Sequence, residues 1–246
     1  MDKHIECHNS SIRHDLGHFD LTSFLYICFM AKSNEEIAGN RVDYGRHVLI
    51  ESEVGNDPFS FMNAWLEEAQ KQHPTHFNAF TLCTASKSGF PHSRVVLLKG
   101  VEQHGLVFFT NYNSRKGQDI AANGKVSANF FWPSLERQVG VVGIARKISA
   151  EESDAYFASR PRGSQIGAWA SAQSETIANR EILEQRVKDL EAQHEGKEIQ
   201  RPEHWGGYII IPHYFEFWQG RASRLHDRMV FQMDADGEWF THRLSP

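Results

Sequence analysis

Four short segments place cations and hydrogen-bonding side chains at turns and helix starts. In Asn113-Ser-Arg-Lys-Gly-Gln118 a capping Ser114 precedes Arg115 and Lys116 in a first helical turn, where free N–H groups and the helix dipole already favour an anion. Cations there oppose the dipole, so either a phosphate-like anion sits among them or the segment is a solvated loop with two surface charges. In Ser93-Arg-Val-Val-Leu-Leu-Lys99 two cations bracket an apolar run. Strand alternation puts Arg94 and Lys99 on opposite faces unless a bulge intervenes; the plain alternative is an edge strand whose end charges reach water. In Tyr156-Phe-Ala-Ser-Arg-Pro-Arg-Gly-Ser164, Tyr156 and Arg160 stand one helical turn apart and Pro161 turns Arg160 toward an extended conformation. Phenol, guanidinium and the Ser164 hydroxyl suit a phosphate, though a charged helix end has the same residues. Finally, the segment from Phe215 to Arg228 sets aromatics beside Arg224, His226 and Arg228. A histidine between guanidiniums resists protonation and serves as a neutral hydrogen-bond partner.

Other chemistries find little support. The fourteen histidines are scattered and His-Glu-x-x-His is absent, so no metal is expected. There is no Gly-x-Ser-x-Gly, and Cys7, Cys28 and Cys83 show no paired spacing, which argues against a hydrolase, a disulfide framework and a thiolate zinc site. Lys and Arg total 26 against 31 Asp and Glu, a net charge of -5, so no general basic field draws nucleic acid or an anionic membrane. Leu21 to Ala31 is the most apolar run, about half the ~20 residues a spanning helix needs. Acidic residues before it make a poor signal peptide, and a reducing, cytoplasmic setting is expected. With 40% apolar and 23% charged residues in 246, the chain has an ordinary globular composition.

These side chains need elements to hold them. Asp57-Pro58 opens a helix carrying Phe61, Trp65, Leu66 and Ala69 at helical spacing, ending near His73-Pro74. Short runs rich in Val, Phe, Leu and Thr follow over residues 77–85, 91–99, 105–111, 125–132 and 137–148, separated by turn residues. Helices are expected over 114–122, over 149–160 behind a Ser149-x-x-Glu152 capping box, and over 179–194 with Ile182, Leu183, Val187 and Leu190 on the packed side. Strands return over 207–211, 214–219, 228–233 and, after Asp234-Ala-Asp-Gly237, 238–243. Regular strand spacing without long helical crossovers predicts a mainly β protein with peripheral helices (α+β), an antiparallel sheet or barrel. Residues 1–40 are expected to be a poorly ordered extension. Met30, followed by a polar stretch, reads as an ordinary start preceded by an upstream extension of the frame.

Taken in order, these segments resemble the pyridoxine (pyridoxamine) 5'-phosphate oxidase family. The resemblance spans about residues 41–246 and rests most on Phe215-Glu-Phe-Trp-Gln-Gly220 with Arg224-Leu-His-Asp-Arg228. Arg94 to Lys99, Asn113 to Lys116, Leu135-Glu-Arg-Gln-Val139, Ser159 to Trp169 and Arg243-Leu-Ser-Pro246 support it. It implies one FMN-binding split β-barrel domain that forms a homodimer with the cofactor at the subunit interface. It places FMN contacts on Arg94, Val95, Val96, Leu97, Leu98 and Lys99, on Phe109 and Thr110, and on Arg115, Lys116, Gln138, Gln173, Ser174, Trp218 and Arg228. Substrate contacts fall on Lys99, Tyr156, Arg160, Ser164, Arg224, Leu225 and His226, with a short N-terminal element at Arg41, Val42, Asp43 and Tyr44. Phe109 departs from members that carry Tyr there. The implied reaction oxidises pyridoxamine 5'-phosphate or pyridoxine 5'-phosphate by hydride transfer to FMN, with Arg224 and His226 catalytic, O2 as acceptor and H2O2 as product. Another split-barrel FMN reductase, or a non-catalytic binder of FMN or pyridoxal phosphate, are the rival readings.

Overall fold

A computed structural model describes residues 42–102 and 104–246, together with Ala38 and Gly39. The expectations for residues 1–40 and for Arg41 lie outside the described residues. Nine strands and six helices are found among the described residues: α1 (Glu51–Val54), α2 (Pro58–Gln72), β1 (Ala79–Ala85), β2 (Pro91–Leu97), β3 (Gly100–Glu102), β4 (Gly105–Asn111), α3 (Arg115–Ala122), β5 (Lys125–Trp132), β6 (Arg137–Lys147), α4 (Ala150–Ser159), α5 (Arg162–Ala170), α6 (Arg180–Gln193), β7 (Trp205–Gln219), β8 (Asp227–Met233) and β9 (Trp239–Leu244). The mainly antiparallel architecture with helices outside the sheet is the one expected.

All pairings are antiparallel, in the order β2-β1-β5-β6-β7-β4-β3, with β8 and β9 branching from β7. The branch arises because β7 is fifteen residues long. One edge pairs with β6 from Tyr208 to Gln219. The other is divided, pairing with β4 over Trp205–Ile210 and with β8 over Tyr214–Gln219. Two separate strands were expected here, over 207–211 and 214–219. They are one strand, because the register steps at Val142/Gly143 of β6 and leaves His213 as an extra residue on β7. Before the bulge Tyr208, Ile210 and Pro212 face inward; after it Phe215, Phe217 and Gln219 do. One extra residue therefore reverses the alternation and keeps both halves apolar toward the core. Gly143 is required at this step, since a Cβ there would lie 2.3 Å from the Ile211 carbonyl oxygen.

The core is aromatic. Phe80, Phe108, Phe130, Phe215, Phe217 and Phe231 are fully buried. Helix α2 begins as read from the sequence, with the Asp57 carboxylate accepting from the N–H groups of Phe59 (3.1 Å) and Ser60 (3.0 Å). It sets Phe61 and Trp65 edge-on to Phe217, at 4.6 Å and 5.2 Å between centroids. Arg137 lies 4.4 Å over the Trp65 ring and pairs with Glu68, fixing α2 to the start of β6. A smaller cluster of Phe157, Ile166, Ala168, Ile199 and Trp205 seats α4, α5 and α6.

Three local expectations change. Helix α5 was not foreseen: no side chain caps it and it holds Gly163 and Gly167, so propensity is low, yet Ile166, Ala168 and Ala170 are buried and tertiary packing forms it. On α6, Ile182 is exposed while Val187 and Leu190 pack inward. Strand β2 stops at Leu97 rather than running to Lys99.

Phe217 touches both α2 and β8, so Phe217→Ala is expected to cost about 3–5 kcal/mol of unfolding free energy in a urea titration. A loss below about 1 kcal/mol would show that α2 does not depend on this contact.

Candidate active site

The polar cleft begins where β2 ends. Leu98 N–H donates to the Asn78 carbonyl (2.8 Å), whereas Lys99 N–H donates to Val107 of β4 (2.8 Å). The chain thus leaves β1 for β4 between neighbouring residues. This hand-over corrects the alternation argument: Arg94 and Lys99 line the same cleft, and Leu98 turns into the core, 6% exposed. The cleft has a volume of about 980 Å³. It gathers Arg94, Val95, Val96, Leu97, Lys99, Phe109, Thr110, Arg115, Lys116, Tyr156, Arg160, Ser164, Gln173 and Ser174 from the residues singled out in the sequence.

At one end stands the start of α3. Ser114 caps it, and the Arg115 N–H donates to Ser174 Oγ (3.2 Å). Ser174 holds a left-handed φ of 77°, a strained conformation for a non-glycine residue that marks a constrained site. Gly117 lets this turn close, since a Cβ would fall 2.0 Å from the Tyr112 carbonyl oxygen. Lys116 is buried, and its Nζ donates only to neutral oxygens, Gln173 Oε1 (2.7 Å) and Ser114 Oγ (3.1 Å). Burial, with Arg94 nearby, pushes its ammonium down to about 8. Arg94 is anchored from behind: its Nη1 donates to Thr84 Oγ1 (2.8 Å), while Thr84 and His92 both contact Asp119 Oδ2, at 2.7 Å and 2.9 Å. Burial lowers the Arg94 pKa and Asp119 opposes that shift.

At the other end Arg160 closes α4 in an extended conformation (φ -72°, ψ 147°), as Pro161 dictates. Its guanidinium lies 4.5 Å over the Trp205 ring, and its buried Nη1 has no hydrogen-bond partner. Helix α5 starts two residues later and contributes Ser164. Phe109 stacks on Tyr156 with centroids 3.8 Å apart and on Trp205 at 5.5 Å, so this wall is three nearly parallel rings. Among the described residues no carboxylate forms an ion pair with Lys99, Arg115, Lys116 or Arg160. A cleft with so many uncompensated cations, one of them buried, is built for anionic groups.

The remaining candidates gather elsewhere on the chain. Gln138, Trp218 and Arg228 lie side by side across β6, β7 and β8. Trp218 packs against His226 at 4.5 Å, and Tyr44 meets both rings at 5.8 Å and 6.0 Å. Arg228 is held by Glu216 through two bonds, Nε to Oε1 (2.7 Å) and Nη2 to Oε2 (3.0 Å). Arg224 and Leu225 are exposed, as are Val42 and Asp43. Ser223 and Arg224 both adopt left-handed φ, 56° and 61°, so the loop presenting Arg224 is strained. His226 Nδ1 accepts the Arg221 N–H (3.1 Å), which leaves any proton of the neutral ring on Nε2. Burial and then the Arg224 charge lower its pKa, in line with the neutrality read from the sequence. None of this second group lines the cleft of its own chain.

Sequence reasoning missed Trp205, Asn111 and Ser171 in the cleft, and Asp119 and Glu136 behind the two groups. Trp205 before Gly206-Gly207 was a visible signal, a large ring at a strand start. The buried carboxylates had none, because charge alone does not distinguish an anchoring acid from a solvated one.

Residues 66–194 match the sequence family described as pyridoxamine 5'-phosphate oxidase, and residues 205–246 match the pyridoxine 5'-phosphate oxidase C-terminal dimerisation region. A pyridoxine/pyridoxamine 5'-phosphate oxidase of Trichormus variabilis is 50% identical over 210 residues, covering 85% of this chain and 98% of the relative. One from Pseudomonas putida is 49% identical over 214 residues, 86% and 99% of the two chains. Among solved structures, PhzG from Burkholderia lata in complex with tetrahydrophenazine-1-carboxylic acid superposes with a TM-score of 0.76 at 29% identity, covering 81% and 98%. A pyridoxamine 5'-phosphate oxidase-related, FMN-binding protein of Nostoc punctiforme shares the fold at TM-score 0.63 and 15% identity, covering 78% and 100%. The divided β7 edge is thus that of a split β-barrel.

Lys116 is expected to titrate near 8 in the protein without a bound anion, and higher once inorganic phosphate is added, as followed by the NMR shift of its labelled ε-carbon. Its folded pKa lies below its unfolded one, so stability rises as pH climbs from about 8 toward the ordinary lysine value, and the charged form is a cost at neutral pH. A midpoint at the ordinary lysine value without anion would refute the burial argument.

Proposed function

The chain belongs to the pyridoxamine 5'-phosphate oxidase family, and from that premise we propose that it is a pyridoxamine/pyridoxine 5'-phosphate oxidase that makes pyridoxal 5'-phosphate, with FMN as its flavin and residues 41–246 as one oxidase domain. The observation that carries the proposal is the cleft itself, with its two cationic ends on either side of an aromatic wall. It suits two phosphates at once.

Arg94, Arg115 and Lys116 would hold the FMN phosphate at the start of α3, where the helix dipole adds to their charge. The uncompensated ammonium of Lys116 fits a dianion in particular. When bound, FMN would supply the acceptor for the hydride that leaves C4' of the substrate, with O2 as the final electron acceptor and H2O2 as product. Lys99, Tyr156, Arg160 and Ser164 clamp the substrate 5'-phosphate, and the unpartnered Nη1 of Arg160 gains an acceptor. Binding energy on this non-reacting group orients the reacting carbon. Phe109, in place of a phenol, contributes its ring face to the stack with Tyr156 and Trp205.

Arg224, Leu225 and His226 would complete the site from the second chain of a homodimer, along with Gln138, Trp218 and Arg228 for the flavin. The match of residues 205–246 to a dimerisation region supports this, as does the exposure of Val95 (67%), Phe131 (52%) and Leu225 (69%). His226 contributes a hydrogen bond rather than a charge: with Nδ1 occupied by Arg221 N–H, the neutral ring offers Nε2–H to the substrate oxygen or nitrogen. Burial and then the Arg224 charge favour the neutral imidazole, and Arg224 would help orient the alcohol or amine.

The test is anaerobic. The protein is reconstituted with FMN, pyridoxamine 5'-phosphate is added and the visible flavin band is followed; it should bleach and return on admission of air. A band that persists with substrate bound would point to a different reductant or a non-catalytic binder. Arg160→Ala should raise KM roughly 10- to 100-fold, the worth of one charged hydrogen bond; an unchanged KM would remove Arg160 from the phosphate site. Arg224→Ala should slow flavin reduction far more than it weakens FMN binding, and equal losses in both would refute its assigned role.

A further inference from the structure

We propose that Glu136 is a positioning residue that acts through Tyr44, fastening the chain on which Tyr44 stands so that its ring stays beside His226 and Trp218. This rests on the reading of Tyr44 and His226 as groups that face the substrate. Glu136 is 8% exposed and occupies a left-handed conformation, φ 55°, unfavourable for a residue with a side chain. Its Oε2 and its carbonyl are both used in that conformation. Its Oε2 accepts from the N–H groups of Gly45 (2.9 Å) and Arg46 (3.0 Å), the two residues after Tyr44. Its carbonyl accepts from Gly220 N–H (2.7 Å) and Gln219 Nε2 (3.2 Å).

Gly220 is the surface on which Tyr44 rests: a Cβ there would come within 2.7 Å of Tyr44 Cγ. Glu136 therefore grips both the segment that carries the ring and the turn that the ring covers. The nearest cation to its carboxylate on that segment is Arg46, with Nε at 3.9 Å. Its neighbour Arg137 is engaged by Glu68 and Gln219. The two backbone N–H groups are thus the main partners of a buried charge, a charge-assisted grip rather than a surface ion pair. A second, separate tether follows at Leu49, whose N–H donates to Asp227 Oδ2 (3.1 Å). Loss of Glu136 should therefore free residues 44–46 without releasing residue 49.

Two variants of the flavin-loaded enzyme test this, Glu136→Gln, which keeps the shape but removes the charge, and Glu136→Ala. Hydrogen exchange at the Gly45 and Arg46 amides needs no substrate. It should quicken on the order of tenfold in Glu136→Gln and more in Glu136→Ala, since charge-assisted bonds are about twice as strong as neutral ones, while the Leu49 amide and FMN affinity hold. In steady-state kinetics KM for pyridoxamine 5'-phosphate should rise about tenfold with kcat within about twofold, the split expected when Tyr44 binds substrate and transition state equally and is no longer held in place. In a Tyr44→Ala background the same Glu136→Gln change should leave KM unaltered. Unchanged exchange would overturn the fastening. Faster exchange with an unchanged KM, or an undiminished KM effect without Tyr44, would overturn the action through Tyr44. A wild-type enzyme that exchanges slowly at these amides yet oxidises no B6 phosphate would instead overturn the functional reading beneath the proposal.

Discussion

The structure depends on how the two edges of β7 are paired. A strand of fifteen residues exposes a row of N–H and C=O groups on each side, and buried backbone groups must find partners. One side is satisfied by β6; the other is shared between β4 and β8. That division creates the split, and it sends β4 with Phe109 and Thr110 one way and β8 with Arg228 the other. The single bulge at His213 permits the arrangement, since without it one half of β7 would turn its aromatics outward. The two groups of functional side chains are thus placed by backbone pairing before any of their own contacts form.

Electrostatics then differ between the groups. In the cleft, Lys99, Arg115, Lys116 and Arg160 have no carboxylate partners among the described residues, and the acid that anchors Arg94, Asp119, works from behind through Thr84. In the group on β7 and β8, every anchoring acid is engaged: Glu216 with Arg228, Asp227 with Arg221 and Arg243, Glu136 with two backbone N–H groups. Asp227 links the segment at Leu49 to the last strand, since Arg243 bonds both Asp227 and the Leu49 carbonyl. The first region keeps its cations free for an anion. The second is a rigid frame that presents His226 and Trp218.

What the sequence made legible follows the range of the forces concerned. Caps are local chemistry, and Asp57, Ser114 and Ser149 all cap helices where their spacing indicated. Strand runs such as Lys125–Trp132 carry their own alternation and were read to the residue. The bulge was not legible, because Pro212-His213 looks like a break when the partner strand is unseen. Nor was the shared cleft of Arg94 and Lys99, which depends on a change of partner from β1 to β4 between adjacent residues. Helix α5 has weak local signals and exists because Ile166 has a buried place to go. The residues proposed to touch ligands were named through a family resemblance, whereas Asp119 and Glu136, which hold other residues, became visible only with their distances.

The buried ammonium of Lys116 has a consequence for the protein's life in a cell. A cation buried among neutral acceptors burdens the empty fold, and a ligand that neutralises it adds to stability by mass action, in proportion to the logarithm of its concentration over its dissociation constant. Chains that lack the anion unfold more often and reach proteases more often. If the proposed phosphate compound fills the start of α3, the abundance of this protein would be coupled to the supply of that compound, and scarcity would remove the protein as well as idle it.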